Sequence, residues 1–235
     1  MTVFRHGIRA RLRKRMQPIF RFLKWKRHCR MGLNRLDEKL ERYLDFKNGV
    51  FVEAGANNGI KQSNTYYLEA IKGWRGVLVE PVPHLYHECV KNRKSSKVLN
   101  AALVSREYVA STVQLMYADL MTLVKDQSDS EAHAARGVEL QGLHESYDFE
   151  ANAMTLDQVL EQSGFKTIDL LSLDVEGYEC EALRGLDLSK WRPRYILVEV
   201  RDLDAVLCVL ADRYRLLETL SDHKKHKDML FVRND

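Results

Sequence analysis

Residues 50–59, VFVEAGANNG, constrain this chain more than any other stretch. An apolar run breaks into a glycine-containing turn, and a helical pattern follows from about Ser63. Such a strand–turn–helix unit reads as the first βα unit of an open α/β sheet that binds a nucleotide. Gly55 and Gly59 carry no Cβ, so the backbone there can turn tightly and come close to a ligand. The helix that follows leaves N–H groups unpaired toward the same space. Ser63 and Asn64 can cap that helix or touch the ligand. Ala54 and Asn57 leave two glycines, so the turn is not the GxGxxG of dinucleotide enzymes.

A second apolar run, 76–79, ends at Glu80 and is closed by Pro81, 21 residues beyond Gly59. A carboxylate at the end of the second strand can accept both hydroxyls of a ribose. The pair fits a dinucleotide or S-adenosylmethionine, and the missing third glycine favours the latter, which has no pyrophosphate to pack against the backbone. The third strand is expected over 98–104, where the small side chains of Ala101 and Ala102 leave room for a flat adenine. Strands are expected also at 168–173, 194–200, 214–219 and 229–232, and helices at 83–93, 154–163 (capped by Thr155) and 203–213. Asp174 and Glu176 follow the fourth strand beside Gly177, and Glu199 lies near the end of the fifth. Acids at strand carboxyl ends can orient a hydroxyl, take its proton or share a divalent metal.

Residues 105–153 break the pattern. An extra strand is expected over 110–117, 126–150 are polar with weak periodicity, and 105–153 as a whole read as an insertion or lid near the site. His133 and His144 lie there. Residues 223–227 form a basic turn expected to be solvated.

Charge divides the chain. Residues 1–36 hold 12 Lys and Arg and no Asp or Glu, so the remaining 25 basic and 33 acidic residues give a formal −8. Phe4, Ile8, Leu12, Met16, Ile19 and Leu23 recur at helical steps, with arginines on the other side and Pro18 interrupting. This reads as a basic amphipathic arm, fit for an anionic membrane surface or acidic glycan. Packing on the domain or on a second copy of the chain, and nucleic-acid phosphates, are the alternatives. The four cysteines show no metal spacing and are expected as reduced thiols in a cytoplasmic protein, peripheral to the membrane if the arm binds there. The domain proper is expected over 37–235.

FVEAGANNGIKQSNTYYLE at 51–69, GWRGVLVEP at 73–81, IDLLSLDVEGYECE at 168–181 and DMLFVR at 228–233 together resemble the FkbM-type S-adenosylmethionine-dependent methyltransferases. The resemblance covers about residues 49–235. It implies a Rossmann-like class I methyltransferase fold: a seven-stranded, mainly parallel sheet with an antiparallel last strand and helices on both faces. It implies methyl transfer to a hydroxyl of a sugar, glycan or other natural product. Glu53, Gly55, Ala56, Asn57 and Gly59 match the cofactor loop, Ser63 and Asn64 the next helix start, and Glu80 the ribose acid. Asp174, Glu176 and Gly177 match the DvEG signature. Asn58 and Ser172 replace an Asp and a Lys frequent in similar sequences. Asp174 or Glu176 is the expected base, or Asp174 and Glu199 hold a divalent metal. A nicotinamide oxidoreductase is disfavoured by the absence of a GxGxxG turn. A non-catalytic membrane- or glycan-binding module is the remaining alternative.

Overall fold

The computed structural model describes Trp25 and residues 28–117, 123–124 and 147–235. Most of the basic arm, and His133 and His144, lie outside the described residues. Strands β1 (Val50–Ala54), β2 (Arg75–Val79) and β3 (Lys97–Leu99) alternate with helices α1 (Leu36–Leu40), α2 (Tyr66–Lys72) and α3 (Pro83–Asn92). After them come β4 (Ala102–Leu103), β5 (Thr112–Tyr117), β6 (Leu123–Val124), β7 (Tyr147–Met154) and α4 (Leu156–Ser163). The chain closes with β8 (Leu170–Leu173), α5 (Glu179–Arg184), β9 (Tyr195–Val200), α6 (Leu203–Leu210), β10 (Tyr214–Asp222) and β11 (Lys227–Arg233).

The main sheet has seven strands in the order β10-β11-β9-β8-β1-β2-β3. Strands β3, β2, β1, β8 and β9 are parallel. The last strand, β11, is inserted antiparallel between β9 and β10. This is the Rossmann-like class I methyltransferase topology. Every residue of β8 and β9 is buried, as central parallel strands covered on both faces must be. Alternation then divides the core. Val52, Ala54, Leu171, Leu173, Ile196 and Val198 pack on one face, where α4, α5 and α6 lie. Phe51, Leu170, Leu197 and Leu230 pack on the other, under α1, α2 and α3.

The expected third strand is split. Residues 97–99 pair with β2, whereas 102–103 pair with β7 in a second, four-stranded sheet ordered β4-β7-β5-β6. The extra strand expected over 110–117 is β5. Strand β7 is not foreseen from sequence: YDFEANAM is polar because most of its residues keep some exposure. Helix α4 starts at a capping box, with Thr155 Oγ1 accepting from Gln158 N at 3.2 Å and Gln158 Oε1 accepting from Thr155 N at 2.9 Å. All four cysteines are free thiols. Among the described residues no helix is long and apolar enough to cross a membrane.

Candidate active site

A cleft with about 870 Å³ of empty volume, counting the part open to solvent, lies at the carboxyl ends of β1, β2 and β8. Gly55, Asn57, Glu80, Pro81, Ala101, Asp174 and Glu176 line it, as the sequence suggested. Lys61, Gln62, Leu85, Leu115 and Tyr178 also line it. Leu115 carried no sequence signal, because its wall is supplied by the second sheet.

The turn after β1 is held by close backbone packing. Gly55 has φ of 77°, and a Cβ there would fall 1.8 Å from the Asp174 carbonyl oxygen, so no other residue fits without moving β8. Gly59, with φ of 81°, serves the interior: a Cβ would meet Arg93 Cγ at 2.6 Å and Cys89 Sγ at 2.8 Å. Asn58 Oδ1 accepts from Lys61 N at 2.9 Å and Ile60 N at 3.1 Å, work that a neutral side chain does as well as an acid.

Glu53, Ala56, Gly59, Ser63 and Asn64 stand behind the cleft wall and are not among its lining residues. Glu53 accepts from Ser63 Oγ at 2.9 Å, Asn64 N at 2.8 Å and Thr65 Oγ1 at 2.6 Å. Ser63 Oγ in turn accepts from Tyr66 N at 3.0 Å, capping α2. Asn64 Nδ2 donates to Ser172 Oγ at 3.2 Å. Arg93, fully buried, binds Glu53, Glu69 and the Gly59 carbonyl and fixes the whole turn from below.

Glu80 faces the cleft. One carboxylate oxygen accepts from Asn57 N at 2.7 Å and the other from Val82 N at 2.9 Å. Burial pushes its pKa up to about 7, against the pull of these two N–H groups. Each oxygen keeps a lone pair for a further donor.

At the other end, four carboxylates crowd together. Oxygens of Asp174, Glu179 and Glu199 all lie within 4.8 Å of one another, a spacing that a divalent cation can bridge. Glu179, missed in the sequence reading, accepts from Val175 N and Gly177 N at 3.0 Å each. Arg201 donates to Glu176 at 2.9 Å and Glu199 at 3.1 Å, and His226 Nε2 stands 3.6 Å from Glu199. Glu176 adopts φ of 56°, an uncommon conformation for a non-glycine residue. Its pKa is pushed up to about 8, first by burial and then by Glu199, with Arg201 opposing. Asp174 is held well above the ordinary carboxylate range by loss of solvation and then by Glu199, Glu176, Glu179 and Asp228. Its side chain opens to solvent in the cleft.

The FkbM methyltransferase domain matches residues 53–225. The chain belongs to the FkbM methyltransferase family. Its activity is methyl transfer and its cofactor is S-adenosylmethionine, which takes the place of the nicotinamide alternative. No curated protein matches the sequence. Similar solved structures include a TehB-like SAM-dependent methyltransferase from Corynebacterium glutamicum (10% identity, 85% of this chain and 88% of that one, TM-score 0.41). Aeropyrum pernix fibrillarin, solved with S-adenosyl-L-methionine, is another (12% identity, 80% and 67%, TM-score 0.43).

The cleft of this family member fits the cofactor. The free lone pairs of Glu80 suit ribose hydroxyls, and Val79, Pro81, Leu85, Ala101, Ala102 and Leu103 offer the apolar, small-residue surface an adenine needs. Glu80 accepts hydroxyl donors best when ionised, so affinity should be at its plateau above about pH 8 and fall below about pH 7. Titration with S-adenosylhomocysteine should give about tenfold weaker binding near pH 6 than near pH 8. Glu80→Gln should bind more weakly and lose that dependence. A pH-independent wild-type affinity would assign the ribose elsewhere.

Proposed function

We propose that this chain is an O-methyltransferase acting on a hydroxyl of a sugar, glycan or other polyhydroxylated natural product. The observation that carries the reading is the carboxylate group at the cleft end of β8, with Asp174 at its centre. The bound cofactor supplies an electrophilic methyl. An aliphatic hydroxyl is a weak nucleophile and must lose its proton as the new bond forms. A carboxylate whose pKa is raised toward the working pH is suited to take that proton, for roughly a hundred- to ten-thousand-fold in rate. An amine acceptor, once neutral, needs no such base.

Asp174 is the proposed base. It reaches the cleft, and Glu199, Glu176, Glu179 and Asp228 all act on it beside the loss of solvation. Glu176 is held by Arg201, and Glu179 by two backbone N–H groups. These contacts fix the ring around Asp174 and leave it the group free to meet an acceptor oxygen. The backbone contact between Gly55 and Asp174 locks the cofactor turn to the proposed base, so donor and acceptor sides are positioned by one piece of structure.

Calorimetric titration with S-adenosylhomocysteine and with NAD is the first test. Micromolar binding of the former and none of the latter is expected, after which acceptors are screened beginning with glycans. Turnover confined to amine acceptors would overturn the hydroxyl reading. Failure to bind S-adenosylhomocysteine at any pH would favour a non-catalytic module.

A further inference from the structure

Two basic segments 189 residues apart in sequence meet at one rim of the cleft. The first enters as a helical turn, with Cys29 N donating to the Trp25 carbonyl at 3.1 Å. Cys29 is buried, and the Arg30 guanidinium lies 3.4 Å over the Tyr67 ring and pairs with Glu41. Gly32 then forms a parallel bridge to Gln62, which lines the cleft. Two residues on, Asn34 Nδ2 lies 2.7 Å from His223 Nε2, in the basic turn between β10 and β11. That turn is therefore not a bare solvated loop: its first histidine also meets Ser221, and His226 stands beside Glu199.

The side chains this rim presents are of two kinds. Trp25 and Leu33 are each 48% exposed. Arg35, Lys224 and Lys225 are exposed as well. Everything from residue 37 onward carries a formal −8, whereas residues 1–36 add 12 cations and no acid. An anionic surface would repel most of the domain and attract this edge.

We propose that the rim formed by Trp25, Leu33, Arg35, Lys224 and Lys225 docks on an anionic lipid bilayer and turns the cleft mouth toward it, so that the methyl acceptor is a glycan or other polyhydroxylated headgroup held at the membrane. The inference rests on the acceptor reading above for what the bilayer presents. Cationic side chains near an anionic leaflet and an indole at the headgroup level are the usual components of such docking. Nucleic-acid phosphates would satisfy the cations but give Trp25 and Leu33 no apolar phase to enter.

The test is cosedimentation of the full chain with vesicles of phosphatidylcholine alone or with 30% phosphatidylglycerol, at physiological salt. Binding to the anionic vesicles is expected, and Lys224→Gln with Lys225→Gln should weaken it about thirtyfold. Quenching by brominated lipid should reach a Leu33→Trp variant carrying Trp25→Phe, and spare Trp74 and Trp191, which precede β2 and β9 at the amino ends of the strands, away from the cleft. Equal binding to both vesicle types, an unchanged affinity in the double variant, or no quenching at position 33 would each overturn the proposal. Tighter capture by an RNA duplex than by anionic vesicles would replace it with the nucleic-acid reading. None of these measurements needs cofactor or acceptor. Titration of the same preparation with S-adenosylhomocysteine reads the site separately, so failure of the rim and failure of the methyltransferase site are distinguishable.

Discussion

Asp174→Asn should lower turnover by about a hundred- to ten-thousand-fold while leaving S-adenosylhomocysteine affinity within about threefold. Asparagine keeps the shape of the side chain and cannot accept the hydroxyl proton. The variant also carries a signature that mere structural damage would not. In the folded chain the Asp174 pKa is raised, by loss of solvation and then by Glu199 and its other acidic neighbours. The favourable contribution of such a group is fully present below the ordinary carboxylate range and is lost as pH rises through its folded value. At neutral and alkaline pH, ionised Asp174 therefore works against folding. Asp174→Asn should melt higher than wild type near pH 8, with the gap closing toward pH 4. Glu176, pushed up to about 8, gives the remaining pH dependence the same sign. Lower turnover with higher thermal stability is the pattern expected where a site is strained for function. Three other outcomes would reassign the residue. Loss of cofactor binding would place Asp174 on the donor side. Turnover abolished by a chelator and restored by magnesium would make Asp174, Glu179 and Glu199 ligands of a metal that activates the hydroxyl. A lower melting temperature would make Asp174 structural.

The sequence made the main sheet legible because its strands are apolar runs that end at chemically distinctive residues. VFVEAG, GVLVEP and LLSLDVEG each join a buried strand to a turn that carries a site residue. Strand β7 was opaque for the converse reason. In YDFEANAM acids and an asparagine alternate with aromatic and small residues, as suits a strand in a small, half-covered sheet. With β7 unseen, neither the split of the third strand nor the wall around Leu115 could be drawn. The cofactor turn was legible in its outline and misleading in its detail. Glu53, Ser63 and Asn64 carry the family pattern, yet their bonds run to one another and to Arg93 and Ser172, behind the cleft wall. A sequence pattern records that a residue is required and does not say whether ligand or scaffold requires it. The basic turn before β11 shows the same limit. Its charges read as solvated until β11 is threaded antiparallel between β9 and β10, which brings His223 to Asn34 and His226 to Glu199.

Arg93→Met should be the most destabilising single substitution outside the apolar core. In sequence Arg93 is an ordinary basic residue at the end of a surface helix, yet its side chain is fully buried. Its guanidinium donates to Glu69 at 2.9 Å, Thr65 Oγ1 at 2.8 Å, the Gly59 carbonyl at 3.0 Å, Ser63 Oγ at 3.1 Å and Glu53 at 3.3 Å. Methionine fills much of the volume and supplies none of the donors. Glu53, which is buried, and Glu69, which is partly buried, would then lose the cation they share. Removing one partner of such a buried network costs about 3–5 kcal/mol, more than the pairing itself is worth, because the remaining charges stay desolvated. For a chain of this size that corresponds to a fall of about 6–20 °C in melting temperature. Arg93→Lys should lose less, since a cation remains, but a single ammonium cannot reproduce the fork that spans both acids and the turn. The same bonds hold the segment that presents Gly55, Asn57, Lys61 and Gln62 to the cleft, so the loss should also appear in cofactor affinity. Saturating S-adenosylhomocysteine should recover part of the lost melting temperature by binding the folded form alone. A melting temperature within about 2 °C of wild type would mean that Arg93 is not what holds the cofactor turn. Full stability loss with unchanged affinity in the folded fraction would confine its role to folding.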